Sequence, residues 1–420
     1  MSTRVLAVAA LLGSLPALSW AQTPALTEFQ VNTYTTGLQS NPSVASDSAG
    51  NFVVVWRSYA QDGSLEGIFG RRFDAAGAPG VEFPVNTFTT SAQNWPRVAS
   101  DPGGDFVVVW ETFLVDGSGY SVEAQRYDAS GAALGANFRV NDFTTGDQTR
   151  PDISMDASGN FVVVWHSFDQ DGSLFGIRGQ RFDAAGAFKG AEFAVNTYTS
   201  GDQLYPAVAS APGGGFVVVW QSPLQDGSDF GIVGRRYDAA GVPLGGEFQV
   251  NSYTTGVQHR PDLAVAPGGG FMVTWEDQGQ DGSYSGVFAR RYDASGVAQG
   301  GEFRVNSFTT LLQERPAIAA DGTGHFVVVW SDQQEGILID VSAQIGLSGR
   351  RFSPSGTPVG AEFRVNAYTT GNQQTAAVAA DATGGFVVTW SSSGGQDGSG
   401  YGVFGQRFEL SDLIFADGFE

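Results

Sequence analysis

A short apolar segment recurs along the chain and sets its organisation. The sequence FVVVW, or a close variant, occurs seven times, ending at Trp56, Trp110, Trp165, Trp220, Trp275, Trp330 and Trp390. A second segment, EFxVN, accompanies every copy, and its phenylalanine always lies 27 residues before the tryptophan, at Phe29, Phe83, Phe138, Phe193, Phe248, Phe303 and Phe363. This constant register predicts one structural unit repeated seven times.

Each repeat predicts four short β-strands. In the first repeat these are residues 42–47, 51–58 and 67–74, together with an EFxVN strand of the kind found at 28–32. The segments are rich in Val, Phe, Trp and Tyr, which favour a pleated, half-buried surface. Turn sequences such as DAAG at 74–77 separate them. Because FVVVW is apolar at every position, we expect its sheet to be covered on both faces.

Seven four-stranded units of about 55 residues predict an all-β fold, a seven-bladed β-propeller. The two ends of the chain support a closed ring. The first EFxVN strand, 28–32, precedes any blade, and the last repeat stops after its third strand near Phe408. We therefore expect the N-terminal strand to complete the last blade, which leaves no exposed sheet edge.

The amino terminus has the pattern of a cleaved signal peptide. Arg4 provides a positive charge, residues 5–12 are apolar, and small residues surround Trp20. We therefore divide the chain into a signal peptide at 1–21, a propeller at 22–409 and a tail at 410–420. No later segment reaches the ~18 apolar residues of a membrane span. The sequence has no cysteine, so burial and hydrogen bonding must stabilise an exported fold.

The charge of the chain narrows the class of partner. There are 43 acidic and 22 basic residues among 420, a formal net charge of −21. That balance excludes a nucleic-acid binder that works through a basic surface. Much of the acidity is turn aspartate repeated in every unit, so it does not require a cationic partner. We expect a monomer that binds a glycan or a cell-surface protein.

Alternating strand direction places two longer loops, containing QDGS and NTYTTGxQxxP, on the same face of the propeller. Function concentrates in loops on a rigid scaffold, so this face is the expected binding surface. The candidate ligand-binding residues there are Gln39, Gln93, Gln148, Gln203, Gln258, Gln313 and Gln373, with Asp62, Asp116, Asp171, Asp226, Asp281 and Asp397. Amide and carboxylate groups suit hydrogen bonding to sugar rings. The alternative is structural: glutamine caps loop backbone, and Asp-Gly forms an ordinary turn.

Calcium is a possible cofactor, and no other is expected. Calcium requires six to eight oxygen ligands, often from closely spaced aspartates. Asp169 and Asp171 have such a spacing, whereas the alternative treats them as solvated turn carboxylates. Repeat six departs from the pattern at residues 331–349 with five extra residues; this loop is either a specific contact or an insertion packed on its own blade.

The residues of common catalytic centres are sparse, and no catalytic residue is assigned. The three histidines, His166, His259 and His325, occupy different repeat positions, which argues against a histidine metal site or a Ser-His-Asp triad. Our main interpretation is a non-enzymatic binding or adhesion module. A polysaccharide hydrolase using loop carboxylates is the alternative, with Glu111, Glu276 and Glu335 as acidic departures from the repeat. Paired arginines such as Arg71-Arg72 are expected to contact a carboxylate of the neighbouring blade.

The repeat, typified by FVVVWQSPLQDGSDFGIVGRRYDAAGVPLGGEFQVNSYTTG at 216–256, resembles units of bacterial secreted and surface proteins. Those proteins are often labelled calcium-binding or hemolysin-type, so a calcium-binding structural repeat protein is a further alternative. The sequence has no GGxGxDxUx nonapeptide, so the resemblance does not bring a calcium site with it. The ending DLIFADGFE at 412–420 looks like the carboxy terminus of exported Gram-negative proteins. This implies a secreted, periplasmic or cell-surface location in such a bacterium.

Overall fold

A computed structural model describes residues 22–25, 27–333 and 345–410. The strands of this part of the chain form seven antiparallel sheets. In six of them the strands follow in sequence order from the inside outwards, and in the seventh the outermost strands come from the amino terminus. The first strand of every sheet contacts the first strand of the next, and the seventh contacts the first, which closes a ring. The seven-bladed β-propeller expected from the repeats is confirmed.

The described residues contain twenty-nine β-strands. Before and within blades one and two lie β1 (Gln22–Pro24), β2 (Phe29–Gln30), β3 (Gln39–Ser46), β4 (Phe52–Tyr59), β5 (Glu66–Phe73), β6 (Pro79–Pro84), β7 (Gln93–Ser100), β8 (Phe106–Phe113), β9 (Tyr120–Tyr127) and β10 (Phe138–Arg139). Blades three to five contain β11 (Gln148–Met155), β12 (Phe161–Phe168), β13 (Phe175–Phe182), β14 (Phe193–Ala194), β15 (Leu204–Ser210), β16 (Phe216–Pro223), β17 (Phe230–Tyr237), β18 (Phe248–Gln249), β19 (Gln258–Val265), β20 (Phe271–Asp277), β21 (Gly286–Tyr292) and β22 (Phe303–Arg304). Blades six and seven contain β23 (Gln313–Ala320), β24 (Phe326–Asp332), β25 (Gly346–Phe352), β26 (Pro358–Arg364), β27 (Gln373–Ala380), β28 (Phe386–Ser392) and β29 (Gly402–Leu410).

The FVVVW strand is buried on both faces, as its apolar pattern predicts. In blade four, residues Phe216 to Trp220 are all buried. Alternate side chains enter different cores: Val217 and Val219 pack with blade five, whereas Val218 and Trp220 pack with blade three. The hydrophobic cores therefore lie between blades, and each blade depends on both neighbours for burial of its apolar surface.

Aromatic side chains join each blade to the next. At the junction of blades four and five, Phe248 lies with its ring centroid 5.4 Å from Tyr292, and Tyr292 stacks on Phe271 at 4.7 Å. Gly234 lies directly beneath Phe248, because a Cβ there would meet the ring at 2.6 Å. The phenylalanine of EFxVN thus needs a glycine or alanine opposite it in the third strand.

The N-terminal strand closes the ring as expected. Phe29 pairs with Gly405 in β29 of blade seven, and the backbone N–H of Val403 donates to Asn32 Oδ1 at 2.7 Å. The Phe29 ring lies 5.3 Å from Phe73 of blade one. The junction of blades seven and one therefore has the same construction as the other junctions, although its two halves come from opposite ends of the chain.

The paired arginines contact backbone carbonyl groups, which corrects the expectation of carboxylate partners. Arg71 donates to the carbonyl of Val31 at 3.0 Å, and Arg72 donates to the carbonyl groups of Ser130 and Ala129 in the next blade. A guanidinium carries several donors in a fixed fork, so one side chain can satisfy two carbonyl groups of a turn. Arg351 is an exception, because it pairs with Asp321 within blade six.

Several expectations concern residues outside the described ranges. These are the signal peptide at 1–21, nearly all of the tail at 410–420, Glu335 and most of the repeat-six loop. Within the described residues, no helix is long and apolar enough to cross a membrane.

Candidate functional site at the axial mouth

The glutamines predicted to bind ligand lie beneath the loops rather than on their surface. All seven have no exposed surface. Gln258 Nε2 donates to the carbonyl of Thr255, and its Oε1 accepts from Asn251 at 3.1 Å. A side chain that is completely buried and bonded to its own loop presents no group to a ligand. The glutamines therefore cap the backbone of their own loops, and the prediction that they contact a ligand directly is corrected.

The Asp-Gly aspartates are half-buried and shape the QDGS turns. Asp226 Oδ1 accepts from the backbone N–H of Ser228 at 3.1 Å, and its Oδ2 accepts from Asn251 at 2.9 Å. The same asparagine donates to Gln258, so the two predicted sets meet at one buried amide here, and Asn86 and Asn196 make the same pair of contacts. In Asp116 and Asp281 the Oδ2 atom has no hydrogen-bond partner. Where the bond to asparagine is made, as in Asp171 and Asp226, the carboxylate connects the QDGS loop to the EFxVN segment.

The two aspartates predicted to bind a metal do not converge. Asp171 is bonded to Asn196 and to the backbone of Ser173, each at 3.1 Å, while Asp169 is exposed. Among the described residues, no group of three or more His, Cys, Asp or Glu side chains is placed to hold a metal ion. Two carboxylates supply too few oxygens for calcium, so this pair does not form a calcium cage.

A β-bulge near the start of every innermost strand creates a different site. The pairing of β11 with β12 shifts between Thr149 and Asp152, and equivalent shifts occur in the other six blades. The bulged residue has a positive φ in each blade: Asn41, Trp95, Arg150, Tyr205, Arg260, Arg315 and Thr375. Positive φ is unfavourable for residues with a Cβ, and bulges redirect side chains. The seven bulged positions carry five residue types, and the bulged residues of blades two to seven lie at the mouth of the central axis.

Side chains of the preceding blade support these bulges. The backbone N–H of Arg150 donates to Glu111 Oε2 at 2.9 Å, and that of Arg315 donates to Glu276 Oε2 at 3.2 Å. Each acceptor directly follows the tryptophan of FVVVW. Glu111 and Glu276, which the sequence offers as acidic departures from the repeat, therefore position the bulged residues. Both are buried.

The bulged side chains surround a cavity of about 240 Å³ on the axis. Its wall includes Trp95, Arg97, Arg150, Asp152, Tyr205, Arg260, Asp262 and Arg315. The cavity opens on the face that carries the QDGS loops, because each bulge lies two residues after the buried glutamine. The predicted face is therefore where the cavity opens, although different residues line it.

The arginines of the cavity are held in contrasting ways. The Arg150 guanidinium lies 3.4 Å from the centre of the Trp95 ring and 5.2 Å from that of Tyr205. Arg260 Nη1 lies 3.3 Å from Glu276, which also contacts His259 Nε2 at 2.9 Å. Burial alone would raise the pKa of Glu276, but the hydrogen bond from His259 and the charge of Arg260 hold that pKa below its ordinary value. Glu276 is therefore ionised at neutral pH.

Two aspartates line the cavity one layer below the bulges. Asp152 lies 3.7 Å from Arg97 Nε. Burial raises the pKa of Asp152. Burial, reinforced by the charge of Asp152, raises the pKa of Asp262 to about 7. At neutral pH the cavity therefore holds one carboxyl group that is partly protonated beside another that is paired with a guanidinium.

Two further groups with shifted pKa values stand behind the wall. Burial raises the pKa of Glu111 to about 7. His166 occupies the equivalent position in blade three, and burial lowers its pKa to about 3. The ring of His166 lies 4.8 Å from Phe175. His166 is consequently neutral at physiological pH and packs as an aromatic side chain.

The sequence contains a signal for this site that the repeat analysis overlooked. The glutamine of QxxP is constant in all seven repeats, although Ala376 replaces the proline in the last, whereas the residue two positions after the glutamine is Asn, Trp, Arg, Tyr, Arg, Arg or Thr. A position that varies within a repeating scaffold does not build the repeat. Its convergence on one cavity depends on the ring closure and on the β-bulge, and the strand patterns do not reveal the bulge.

No family model matches the sequence, and no curated protein matches it either. Solved structures do share the fold. A protein of unknown function from Dyadobacter fermentans has 10% identity and a TM-score of 0.55, covering 94% of this chain and 100% of that one. An alpha-L-arabinanase of Penicillium chrysogenum, solved with arabinobiose, has 15% identity and a TM-score of 0.50, covering 74% and 94%. A GH93 alpha-L-arabinofuranosidase of Fusarium graminearum, also solved with arabinobiose, has 12% identity and a TM-score of 0.50, covering 93% and 98%. At these identities the likeness establishes the propeller fold.

Proposed function

We propose that the protein is carbohydrate-active and hydrolyses a glycosidic bond at the axial mouth. The observation that carries this proposal is the pair Asp152 and Asp262, two half-buried carboxyl groups in one cavity with aromatic and guanidinium side chains. Glycosidases use two carboxyl groups, one protonated and one ionised, on either side of the scissile bond. Burial raises the pKa of both groups, but the charge of Arg97 favours the ionised form of Asp152, whereas the charge of Asp152 favours the protonated form of Asp262.

The two aspartates take separate roles. Asp262, whose pKa is about 7, donates its proton to the glycosidic oxygen as the bond to the leaving sugar breaks. Asp152 lies 3.7 Å from Arg97 Nε, and in its ionised form it stabilises the positive charge that develops at the anomeric carbon. A water molecule then adds its hydroxyl group to the anomeric carbon. The remaining proton of that water returns to Asp262, which regenerates the starting state of both aspartates.

Two structural neighbours with the same fold support this proposal. The arabinanase and the arabinofuranosidase are sugar-cleaving propellers, each solved with arabinobiose. A fold by itself does not select a function. Their likeness therefore counts only together with the carboxyl pair in the cavity.

The test is hydrolysis of a polysaccharide panel, including arabinans, followed by the release of reducing ends. Loss of a general acid or base lowers rates by roughly 10²- to 10⁴-fold, so Asp262→Asn and Asp152→Asn should each reduce turnover by that order. The matched control is Asp116→Asn, the Asp-Gly aspartate of the equivalent loop in blade two, on the same face. Circular dichroism melting curves establish that each variant is folded.

Three results would contradict the assignment. Loss of turnover in Asp116→Asn with retention in Asp262→Asn would place the chemistry on the loop carboxylates. Full turnover in both axial variants would remove the carboxyl pair from the mechanism. No turnover of any substrate by the wild-type protein would exclude hydrolysis of the polysaccharides in the panel.

A non-enzymatic glycan-binding or adhesion module is the second candidate, and one observation favours it. Asp152 Oδ2 accepts from the backbone N–H of Val208 at 2.8 Å, and Asp262 Oδ2 accepts from that of Ile318 at 3.0 Å. Ser43 makes the same cross-blade contact with Val98 at 3.2 Å. These bonds explain the aspartates as connections between blades. Saturable glycan binding without turnover, on a glycan array and then by calorimetry, would support this candidate.

A further inference from the structure

The axial cavity concentrates positive charge in a strongly acidic protein. Arg97, Arg150, Arg260 and Arg315 line its wall, although the chain carries a formal net charge of −21. Arginines elsewhere in the ring, such as Arg72 and Arg236, are occupied with carbonyl groups of neighbouring turns. Hydrogen bonds between neighbouring blades therefore explain the presence of those arginines, but they do not explain the four arginines of the axial cavity.

Two of the four axial guanidinium groups have no acceptor. Within the described part of the chain, the side-chain nitrogens of Arg150 and Arg315 make no hydrogen bond or ion pair. Both side chains are half-buried, so their nitrogens have lost part of their hydration without gaining a protein acceptor. Burial, and then repulsion from Arg260, lowers the pKa of Arg315. An anion in the cavity would relieve both effects.

Among the described residues, no acidic group forms an ion pair with Arg150 or Arg315. Glu111 attracts Arg150, and Glu314 and Glu276 attract Arg315, but none of them lies within ion-pair distance of these guanidinium groups. Glu276 is shared by Arg260 and His259, and Asp152 lies beside Arg97. Asp262 is the remaining carboxyl of the wall, and its backbone contacts to Leu263 and Ile318 occupy both oxygens. Arg150 and Arg315 consequently remain available to a ligand.

We propose that the glycan of the axial mouth is acidic and that Arg150 and Arg315 bind the carboxylate of a uronate-type sugar. The proposal rests on the proposed carbohydrate function and adds the charge of the substrate to it. A guanidinium presents paired N–H donors in a plane that matches the two oxygens of a carboxylate. Trp95 and Tyr205 hold Arg150 between their rings, so its fork is already oriented before the ligand arrives.

The experiment measures binding of carboxylated, sulfated and neutral oligosaccharides. The probes are oligomers of galacturonate, glucuronate and mannuronate, the fully methyl-esterified form of each, and sulfated galactan oligomers. Isothermal titration calorimetry at low and high sodium chloride should show binding of at least one uronate oligomer. Its affinity should weaken at high salt, and the corresponding neutral ester should bind at least ten-fold less tightly.

Variants locate the contact. Arg150→Gln and Arg315→Gln should each weaken uronate binding at least ten-fold. Arg304→Gln removes the same charge from an exposed position on an outer strand and should change the affinity less than two-fold. Melting temperatures close to that of the wild type confirm that the variants are folded.

The outcomes separate this inference from the proposed function. If neutral oligosaccharides bind as well as uronates and are still cleaved in an Asp262-dependent manner, the proposed function stands and the acidic ligand is wrong. Binding of sulfated but not carboxylated oligomers overturns the carboxylate assignment. If Arg150→Gln and Arg304→Gln lose the same uronate affinity, binding depends only on the net charge of the protein, and the proposed contact with Arg150 is wrong. If no probe of any charge binds or is cleaved, both proposals fall.

Discussion

Replacing Phe29 by alanine removes the side chain that seals the ring. Phe29 lies over Gly405, where a Cβ would approach its ring to 2.7 Å, and its ring centroid is 5.3 Å from that of Phe73 and 6.1 Å from that of Phe52. The side chain therefore bridges blade seven, with which its strand pairs, and blade one. Phe248 occupies the same position between blades four and five and provides a matched control.

The expected loss in the free energy of unfolding follows from the burial of each phenylalanine and from how its strand is connected in sequence. Phe→Ala in a full core costs about 3–5 kcal/mol; since both phenylalanines are half-buried, we expect roughly 2–3 kcal/mol of lost packing at each. The strand of Phe248 is held in sequence between β17 and β19, so it stays near its partner. The strand of Phe29 is followed in sequence by blade one and, within the described residues, is preceded only by β1, which pairs with the same strand, β29. Its detachment should add a further ~1–2 kcal/mol and expose the edge of β29.

Urea unfolding followed by tryptophan fluorescence compares the two variants with the wild type. Phe29→Ala should have the lower midpoint, and limited proteolysis should cleave it first between residues 22 and 32. Phe248→Ala should resist proteolysis at both its own strand and the amino terminus. Equal midpoints and identical protease patterns for the two variants would refute the idea that this strand holds the ring closed.

Three further predictions concern pH, packing and metal. Burial raises the pKa of Asp262 and Glu111 to about 7, so the folded protein keeps these protons longer than the unfolded chain. The resulting stability is present below pH ~4 and is lost as the pH rises through 7; the urea midpoint should fall between pH 5 and pH 8, and Asp262→Asn should reduce that fall. Gly234→Ala places a Cβ 2.6 Å from the Phe248 ring, and the overpacking should lower the free energy of unfolding by about 1–3 kcal/mol, seen as a lower urea midpoint. Blade two already has Ala124 there, so an unchanged midpoint would mean that Phe248 is free to move. The melting temperature should not respond to a chelator, because Asp171 is bonded to Asn196; a fall of several degrees would indicate a bound ion.

The repeat pattern predicted more of the fold than of the site. The strands, the seven blades and the pairing of residues 28–32 with the last blade follow from constant spacings, because each strand is defined by its own apolar residues and turns. The buried glutamines show the limit of that approach. Gln258 recurs in every repeat since Asn251 and a loop carbonyl require it, so recurrence marked a structural role. The arginine pairs also show this limit. Their charge predicts carboxylate partners, whereas Arg72 donates to carbonyl groups of a turn in the next blade.

By itself, the sequence determined an all-β chain of seven equivalent units, the strand that joins its two ends, and the face on which the longer loops lie. Those properties depend on residues close together in sequence and on a period that every copy shares. The tertiary structure alone decided that Trp95, Arg150, Tyr205 and Arg315, from four different blades, surround one cavity with Asp152 and Asp262. The physical reason is that a β-bulge redirects one side chain in each blade, and ring closure turns seven such side chains towards a common axis. Acceptors from the preceding blade, such as Glu111 beneath Arg150, then support these strained positions across the blade junctions.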